Sequence, residues 1–373
     1  PARPATGCDT GASAARPQHH PARPPRTTTA GGFALTSLTL DGSASAPATV
    51  TLAAAPLTFL QNGVTAPALT LAATGATLTY DIAAPVALAD DTTLDAAGTA
   101  ALRISGPLSG PAALTKTGNR TLVLSGSNTY AGATLITSGT LQIGADGPSG
   151  SLGAGPVVND GQLRFDRTGT LPVPNPISGT GTLYIDCPIN AGTVTLSGAN
   201  TFNGNVTVNS GALRITGSSA LGTGPKLVTL NNGTAGAPQL RLDGSAAPID
   251  LPAEITYRTS YASGAIINEA GTNTLRGDIT LTGGGGDTRL LVTSGALPFP
   301  GNLAPNTTLR RLQLAGAGAG AILGNIADGE GSNTLAVSKH DAGTWHLSGS
   351  NTFTRGLTVE AGRLVIEIGR AHV

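Results

Sequence analysis

The sequence contains little charge and few aromatic side chains. Charged residues make up 11% and aromatic residues 3% of its 373 positions, whereas an ordinary globular domain carries about 25% charged residues. Basic and acidic residues balance at 21 each, without a long basic block, so neither nucleic acid nor an anionic membrane is predicted as a partner. The hydrophobic content of 39% is too high for a disordered chain, so a core can form.

Cysteine is too rare to hold the chain together. Cys8 and Cys187 are its two cysteines, and no sequence pattern supports a disulfide between them. Cys187 follows the predicted strand Thr182–Asp186 and is expected to be a small buried hydrophobic residue. Stacking of secondary structure, rather than cross-linking, must then stabilise the chain.

The motifs of common enzymes and metal sites are absent. The sequence has no nucleophile elbow G-x-S-x-G, no zinc-binding H-E-x-x-H and no phosphate-binding loop. Asp90–Asp91 is its one carboxylate doublet, and neighbouring residues of a strand point to opposite faces. His340 and Asp341 adjoin at a predicted surface turn. We therefore assign no catalytic residue, no cofactor and no metal ligand.

A seven-residue segment occurs three times, as Leu124–Tyr130, Leu196–Phe202 and Leu347–Phe353. Nine residues beyond each terminal aromatic residue comes a glycine, followed by leucine and isoleucine at fixed offsets. Repetition at this many offsets indicates a repeat architecture. The recurring positions are Gly126, Asn128, Tyr130 and Gly139 in the first copy, Gly198, Asn200, Phe202 and Gly211 in the second, and Gly349, Asn351, Phe353 and Gly362 in the third.

Each copy predicts three short strands joined by turns. In the first copy the strands are Thr121–Leu124, Ala133–Ile136 and Thr140–Ile143, separated by turn-forming Ser-Gly and Asn-Thr pairs. Strands this short bury an apolar row only by stacking on the next turn, about 4.7–4.9 Å away. In such a stack the three asparagines would form ladders whose side-chain amides bond up and down, and the three aromatic residues would cap the edge of a turn. All twelve recurring positions are interpreted as structural.

The strand pattern continues through most of the chain. Ala34–Leu40, Thr49–Leu52 and Ala68–Leu71 alternate apolar residues with Thr or Ala, and no segment has helical periodicity. The sequence therefore predicts an all-β solenoid over residues 31–366, which counts as one unit because each turn contacts only its neighbours.

The two ends of the sequence differ from this pattern. Residues 1–30 are predicted to be a disordered arm, either a linker in a larger protein or the product of a wrong reading frame. The arm contains the His19–His20 pair, but neither an initiating methionine nor an apolar signal segment. Residues 367–373 break the repeat and are interpreted as a translated adapter sequence.

The segments Leu114–Gly118 and Thr121–Gly144 resemble the autotransporter-associated β-strand repeat. Ala191–Gly217 and Val337–Ile366 are similar to the same repeat, and Gly271–Thr282 is a weaker variant. The resemblance implies a right-handed parallel β-helix that is exported and displayed as the passenger of a large surface protein.

The favoured functional hypothesis is a non-enzymatic β-solenoid, on a bacterial surface or outer membrane or secreted, that serves as a stalk or adhesin. The resemblance implies glycans or proteins of a host or neighbouring cell as partners, and membrane attachment only through a missing C-terminal region. A monomeric rod is expected. A purely structural segment of an envelope layer fits the sequence equally well.

A carbohydrate-active enzyme is the alternative, because parallel β-helices also host polysaccharide lyases and glycoside hydrolases. A glycosidase needs two carboxylates about 5–10 Å apart. Two carboxylates meeting an arginine or lysine in one groove would favour this reading, and dispersal of the carboxylates would count against it.

Overall fold

The computed structural model describes residues 32–42, 46–72, 78–188, 191–231, 238–259, 265–283 and 287–367. Within these ranges the regular structure consists of strands that pair in parallel, with no helix, and forms a β-solenoid. The predicted fold class is therefore confirmed. No helix in the described part is long and apolar enough to cross a membrane. The predicted arm, with Cys8 and the histidine pair, and residues 368–373 lie outside the described residues.

The chain divides into two compact units, residues 1–163 and 164–373. In the first unit, three ladders of parallel strands run in the orders β1-β4-β7-β10, β2-β5-β8-β11-β13-β15 and β3-β6-β9-β12-β14. Its strands are β1 (Phe33–Leu35), β2 (Ser37–Leu40), β3 (Ala48–Leu52), β4 (Leu57–Phe59), β5 (Ala68–Leu71), β6 (Leu78–Ile82), β7 (Val86–Leu88), β8 (Thr92–Asp95), β9 (Ala101–Ile104), β10 (Leu108–Ser109), β11 (Leu114–Thr117), β12 (Thr121–Leu124), β13 (Thr134–Ile136), β14 (Thr140–Ile143) and β15 (Val157–Asn159), and the division falls within β16 (Gln162–Phe165).

In these ladders the register pairs similar residues of successive turns with each other. Leu122 pairs with Leu102 of the preceding turn and with Leu141 of the next, and all three side chains are buried. Strands β5, β12 and β14 have the predicted bounds. The segment predicted as the single strand Ala34–Leu40 is divided at Thr36, because β1 and β2 pair with different ladders across a corner of the turn.

The second unit has a nine-stranded ladder in the order β17-β20-β22-β24-β27-β30-β33-β35-β37, which contains Arg214, Arg241, Asp243 and Glu269. The shorter orders are β19-β21-β23-β26-β29-β32, β31-β34-β36-β38 and β25-β28. Its strands are β17 (Gly169–Val173), β18 (Ile177–Ser178), β19 (Thr182–Asp186), β20 (Gly192–Leu196), β21 (Val206–Ser210), β22 (Ala212–Ile215), β23 (Lys226–Leu230), β24 (Gln239–Asp243), β25 (Asp250–Leu251), β26 (Ile255–Thr259), β27 (Ile266–Ala270), β28 (Thr274–Leu275), β29 (Ile279–Leu281), β30 (Asp287–Val292), β31 (Ala296–Phe299), β32 (Leu303–Pro305), β33 (Arg310–Ala315), β34 (Ala319–Ile322), β35 (Leu335–Lys339), β36 (Thr344–Leu347), β37 (Leu357–Val359) and β38 (Arg363–Ile366).

The core of each unit is the row of inward-pointing residues on its strands. Trp345 is the largest fully buried side chain of the second unit, and its cross-strand partner is Gly320. A Cβ at Gly320 would lie 2.3 Å from the indole ring, so the glycine provides the space that the ring fills. Cys187 is buried as a free thiol, as expected, and burial raises its pKa.

Candidate functional site

The recurring asparagines join each turn to the turns on either side. Asn200 is buried, its Oδ1 accepts the N–H of Ile177 at 2.8 Å, and its Nδ2 donates to the carbonyl of Ala220 at 2.7 Å. These partners lie 23 residues before and 20 residues after it. The side-chain amide therefore bonds up and down the stack, but to main-chain groups rather than to other asparagines.

The other two copies repeat this arrangement. Asn128 accepts from the N–H of Leu108 at 2.9 Å and donates to the carbonyl of Ser151 at 2.6 Å. Asn351, on the last described turn, accepts from the N–H of Ile326 at 2.9 Å. The position thus has the same structural task in all three copies.

Asn273 occupies the same kind of site without having been singled out from the sequence. Its Oδ1 accepts the N–H of Ile249 at 2.9 Å and its Nδ2 donates to Asn268 Oδ1 at 2.6 Å. The signal was present, because Asn273–Thr274 is the Asn-Thr pair of the weaker repeat variant.

A second asparagine ladder was not predicted. Asp278 Oδ1 accepts the N–H of Asn302 at 2.7 Å, Asn302 Oδ1 accepts that of Asn325 at 3.0 Å, and Asn325 Oδ1 accepts that of Ser350 at 2.8 Å. Each Asp or Asn stands immediately before an Ile or Leu, which is the pattern that would have identified the ladder. It is exposed and holds one corner of successive turns.

The aromatic residues of the repeat lie inside the stack and do not cap its edge as expected. Tyr130 and Phe202 are 0% and 1% exposed, because the following turn covers them. A Cβ at Gly153 would lie 2.5 Å from the Tyr130 ring, and the Tyr130 hydroxyl hydrogen-bonds Thr134 Oγ1 at 2.6 Å. Phe353, on the last described turn, is half-buried.

The recurring glycines are required for two different reasons, backbone conformation and close packing between turns. Gly139, Gly211 and Gly362 have φ values of 65°, 75° and 73°, in the left-handed region where other residues are strained. The earlier glycines of each copy instead face the carbonyl of the preceding turn. A Cβ would lie 2.2 Å from that oxygen at Gly126, 2.3 Å at Gly198 and 2.0 Å at Gly349.

The three lysines of the sequence, Lys116, Lys226 and Lys339, are all buried. Lys116 Nζ donates to the carbonyls of Thr117 and Gly118 at 2.7 Å and to that of Ser138 at 3.1 Å. Burial lowers the pKa of Lys116 and of Lys226 to about 8. Main-chain carbonyls thus enclose these ammonium groups.

Lys339 stands in the third copy where Lys116 stands in the first, and its contacts are equivalent. Its Nζ donates to the carbonyls of His340, Asp341 and Ala361. The turn adopts a left-handed conformation at both Gly118 and Asp341, with φ values of 75° and 60°. The lysine therefore closes a turn and has a structural role in both copies.

The carboxylate doublet does not form a catalytic pair. Asp90 and Asp91 lie in the turn between β7 and β8, not in a strand. Asp90 Oδ2 accepts the N–H of Gln61 from an earlier turn, and Asp91 Oδ1 accepts that of Ala113 from a later one, both at 2.8 Å. The two carboxylates therefore accept hydrogen bonds from turns on opposite sides of their own turn. No group of three potential metal ligands occurs in the described ranges.

His340 and Asp341 lie in a turn, as the sequence predicted, and both have partners. His340 Nδ1 lies 3.0 Å from Glu360 Oε2, and Arg289 Nη2 donates to Asp341 Oδ2 at 2.8 Å. The N–H of Gly316 and the Arg289 charge lower the pKa of Asp341. The Arg289–Asp341 ion pair and the contact between His340 and Glu360 therefore hold this turn.

One set of charged side chains does converge, on the outer face of β22, β24 and β27. Arg214 and Arg241 are direct cross-strand partners. Glu269 Oε2 accepts from Arg214 Nε at 2.7 Å, Glu269 Oε1 accepts from Arg241 Nη1 at 3.4 Å, and Asp243 accepts from Arg214 Nη2. We call these four residues the arginine–carboxylate cluster.

A β-bulge positions the bridging carboxylate of this cluster. The register pairs Leu242 with Asn268 but Asp243 with Ala270, so Glu269 is the extra residue of β27. Bulges re-aim side chains in this way. The Glu269 carboxylate separates two arginines that would otherwise repel each other across neighbouring strands.

The cluster brings together the residue types that the enzymatic alternative requires, but not in a form suited to acid catalysis. Burial raises the pKa of Asp243, yet hydrogen bonds from Ser245 and the Arg214 charge outweigh it, so the net shift is downward. Both oxygens of Glu269 already accept from guanidinium groups. A glycosidase acid instead requires a protonated carboxyl with a raised pKa.

A shallow groove of about 290 Å³ lies beside the cluster, on the face of β17, β20, β22 and β24. Its floor consists of small residues and its walls of polar ones. The lining residues are Gly169, Thr170, Ala191, Gly192, Thr193, Gly211, Ala212, Gln239 and Arg241.

Comparison with known proteins identifies matches to the repeat segments. The family model of the passenger-associated-transport-repeat matches residues 114–143, 189–215 and 337–366. The chain is also similar to the adhesin BmaC autotransporter of Brucella suis biovar 1 (strain 1330), with 45% identity over 82 residues. That similarity covers 22% of this chain and 2% of the much longer relative. No solved structure matches the chain significantly.

Proposed function

Because this chain is an autotransporter passenger repeat protein, we propose that it is a non-enzymatic segment of a bacterial passenger with an adhesive role. The comparisons imply a bacterial protein that is secreted or exposed at the cell surface. The adhesive role is the finer step, and the adhesin similar to this chain supports it.

The observation that carries the proposal is that the recurring polar side chains form hydrogen bonds between turns of the stack. The repeat asparagines and two of the three lysines occupy the matched segments, and each bonds to at least one neighbouring turn. Side chains committed in this way maintain a continuous parallel stack and leave the outer faces of the turns for contact.

Adhesion is tested by displaying the full chain on a bacterial strain that does not adhere, through an unrelated outer-membrane carrier. We expect the displaying cells to adhere to cultured epithelial cells or to each other at least fivefold more than cells with the carrier alone. Equal adhesion, with display confirmed by antibody, would favour the purely structural role.

The enzymatic alternative has one observation in its favour, the arginine–carboxylate cluster. Incubation of the purified chain with pectin, xylan and β-glucan tests it by reducing-end release and by absorbance of unsaturated products. We expect neither signal above a buffer control. Product formation that is lost in Glu269→Gln would overturn the non-enzymatic proposal.

A further inference from the structure

We propose that the groove beside the arginine–carboxylate cluster binds a neutral pyranose unit of a glycan, through the side chains of Gln239 and Arg241. The inference rests on the proposed surface function and names a ligand class for it. The groove belongs wholly to the second unit, and its polar wall is the edge of the cluster.

The groove exists because one outward position on this face is nearly empty. The register aligns Thr170, Thr193, Ala212 and Gln239 on successive strands. Ala212 contributes only a methyl group between two longer side chains, and this methyl group is itself buried beneath them. The resulting space is at the lower end of the range of about 300–1,000 Å³ for small-molecule sites, which suits one or two sugar rings.

The polar wall is preorganised. Gln239 Oε1 accepts from Arg241 Nε at 2.8 Å and from Arg241 Nη2 at 2.5 Å, and the Glu269 carboxylate holds Arg241 from the other side. Within the described chain no residue accepts from Gln239 Nε2. An amide and a guanidinium joined in this way keep N–H donors that are not used between them, and ring hydroxyls can accept from those donors.

The charge of this wall selects against ions. Arg214 and Arg241 are balanced by Asp243 and Glu269, which accept from them. A phosphate or carboxylate ligand would require an arginine that is not already paired. Hydroxyls instead need only the remaining donors, with the Thr170 and Thr193 hydroxyls as further donors or acceptors.

The test is ligand-observed NMR of the full chain with four soluble probes: cellotriose, maltotriose, chitotriose and, as an anionic comparison, 3′-sialyllactose. We expect saturation transfer to at least one neutral probe, and at least a tenfold loss of its affinity in the double variant Gln239→Ala/Arg241→Ala. The chemically matched control, Gln313→Ala/Arg276→Ala, should bind as the unaltered chain does. A third variant, Thr193→Phe, should block the groove while leaving both donors in place.

Several results would overturn the inference. These are no binding of any neutral probe at millimolar concentration, stronger binding of the sialylated probe, or equal binding by both groove variants with unchanged circular dichroism. Adhesion and sugar binding separate the two proposals. If the unaltered chain binds no sugar while cells that display the groove variants still adhere, the proposal of sugar binding in the groove is wrong and the proposed surface function stands. If sugar binds but displayed cells do not adhere, the groove stands and the adhesive role is wrong.

Discussion

The ammonium of Lys226 lies 4.2 Å from the centre of the Phe202 ring and donates to the Phe202 carbonyl at 2.6 Å. The ring belongs to the second copy of the repeat, and the lysine begins β23 of the following turn. A cation held over an aromatic face contributes about 0.5–2 kcal/mol, more when desolvated. One repeat residue thus holds a buried charge with both its side chain and its main chain.

This burial predicts a pH dependence of stability. The pKa of Lys226 is about 8 in the folded chain, whereas that of the free side chain is 10.5. Between these values the unfolded chain binds more protons, so the free energy of unfolding should rise from pH 8 to pH 10. Urea denaturation at several pH values should show a smaller rise in Lys226→Met. Arg276→Met is the control and should keep the rise, because arginine does not titrate there. An equal slope in Lys226→Met would contradict this explanation.

Asn200→Ala should destabilise the second unit by about 2–4 kcal/mol, because it leaves the N–H of Ile177 and the carbonyl of Ala220 buried without partners. Asn231→Ala removes an exposed amide whose partner among the described residues is Asn209 Oδ1, and it should change the free energy of unfolding by less than about 0.5 kcal/mol. Urea midpoints compare the two variants. Similar losses in both would mean that the Asn200 bonds between turns contribute little.

Gly198→Ala should be destabilising by at least about 1–3 kcal/mol, because its Cβ would lie 2.3 Å from the Asn175 carbonyl oxygen and force the turns apart. The control, Gly217→Ala, places its Cβ where no atom lies within 4 Å. It should be neutral or stabilising by up to about 1 kcal/mol, since alanine restricts the unfolded chain. Thermal unfolding followed by circular dichroism measures both, and a tolerated Gly198→Ala would show that the turns can separate freely.

Glu269→Gln should lower the free energy of unfolding by about 1–2 kcal/mol, because it removes the anion between two facing arginines. The loss should shrink in 1 M NaCl, which screens the repulsion. Asp250→Asn, in the exposed pair with Arg276, should cost less. A loss that is independent of salt would indicate a packing effect instead of a charge effect.

Much of the fold was predictable because the fixed offsets between repeat copies indicate which residues pair on stacked strands. The fixed offsets of three copies identify strands such as β12 and β14 and indicate parallel stacking, since equivalent residues must lie above one another. The corner at Thr36 was not predicted, although two consecutive polar residues, Thr36 and Ser37, interrupt the alternation of apolar and polar residues there.

The candidate site was far less predictable. The asparagines could be recognised by recurrence, but their partners Ile177 and Ala220 lie in turns without a repeat signature. Arg214 and Glu269 are 55 residues apart, and they meet only because β27 contains a bulge that no local pattern reveals. Recurrence identifies what every turn needs, whereas the cluster and its groove occur once.

The burial of Lys116, Lys226 and Lys339 gives the folded chain an unusual chemical surface. Since these are all its lysines, every side-chain cation that it exposes is a guanidinium or an imidazole. Acylating reagents and amine cross-linkers would find no lysine to react with until a turn opens. One of these amines lies in the first unit and two lie in the second. The rate at which each amine reacts therefore measures local unfolding around it.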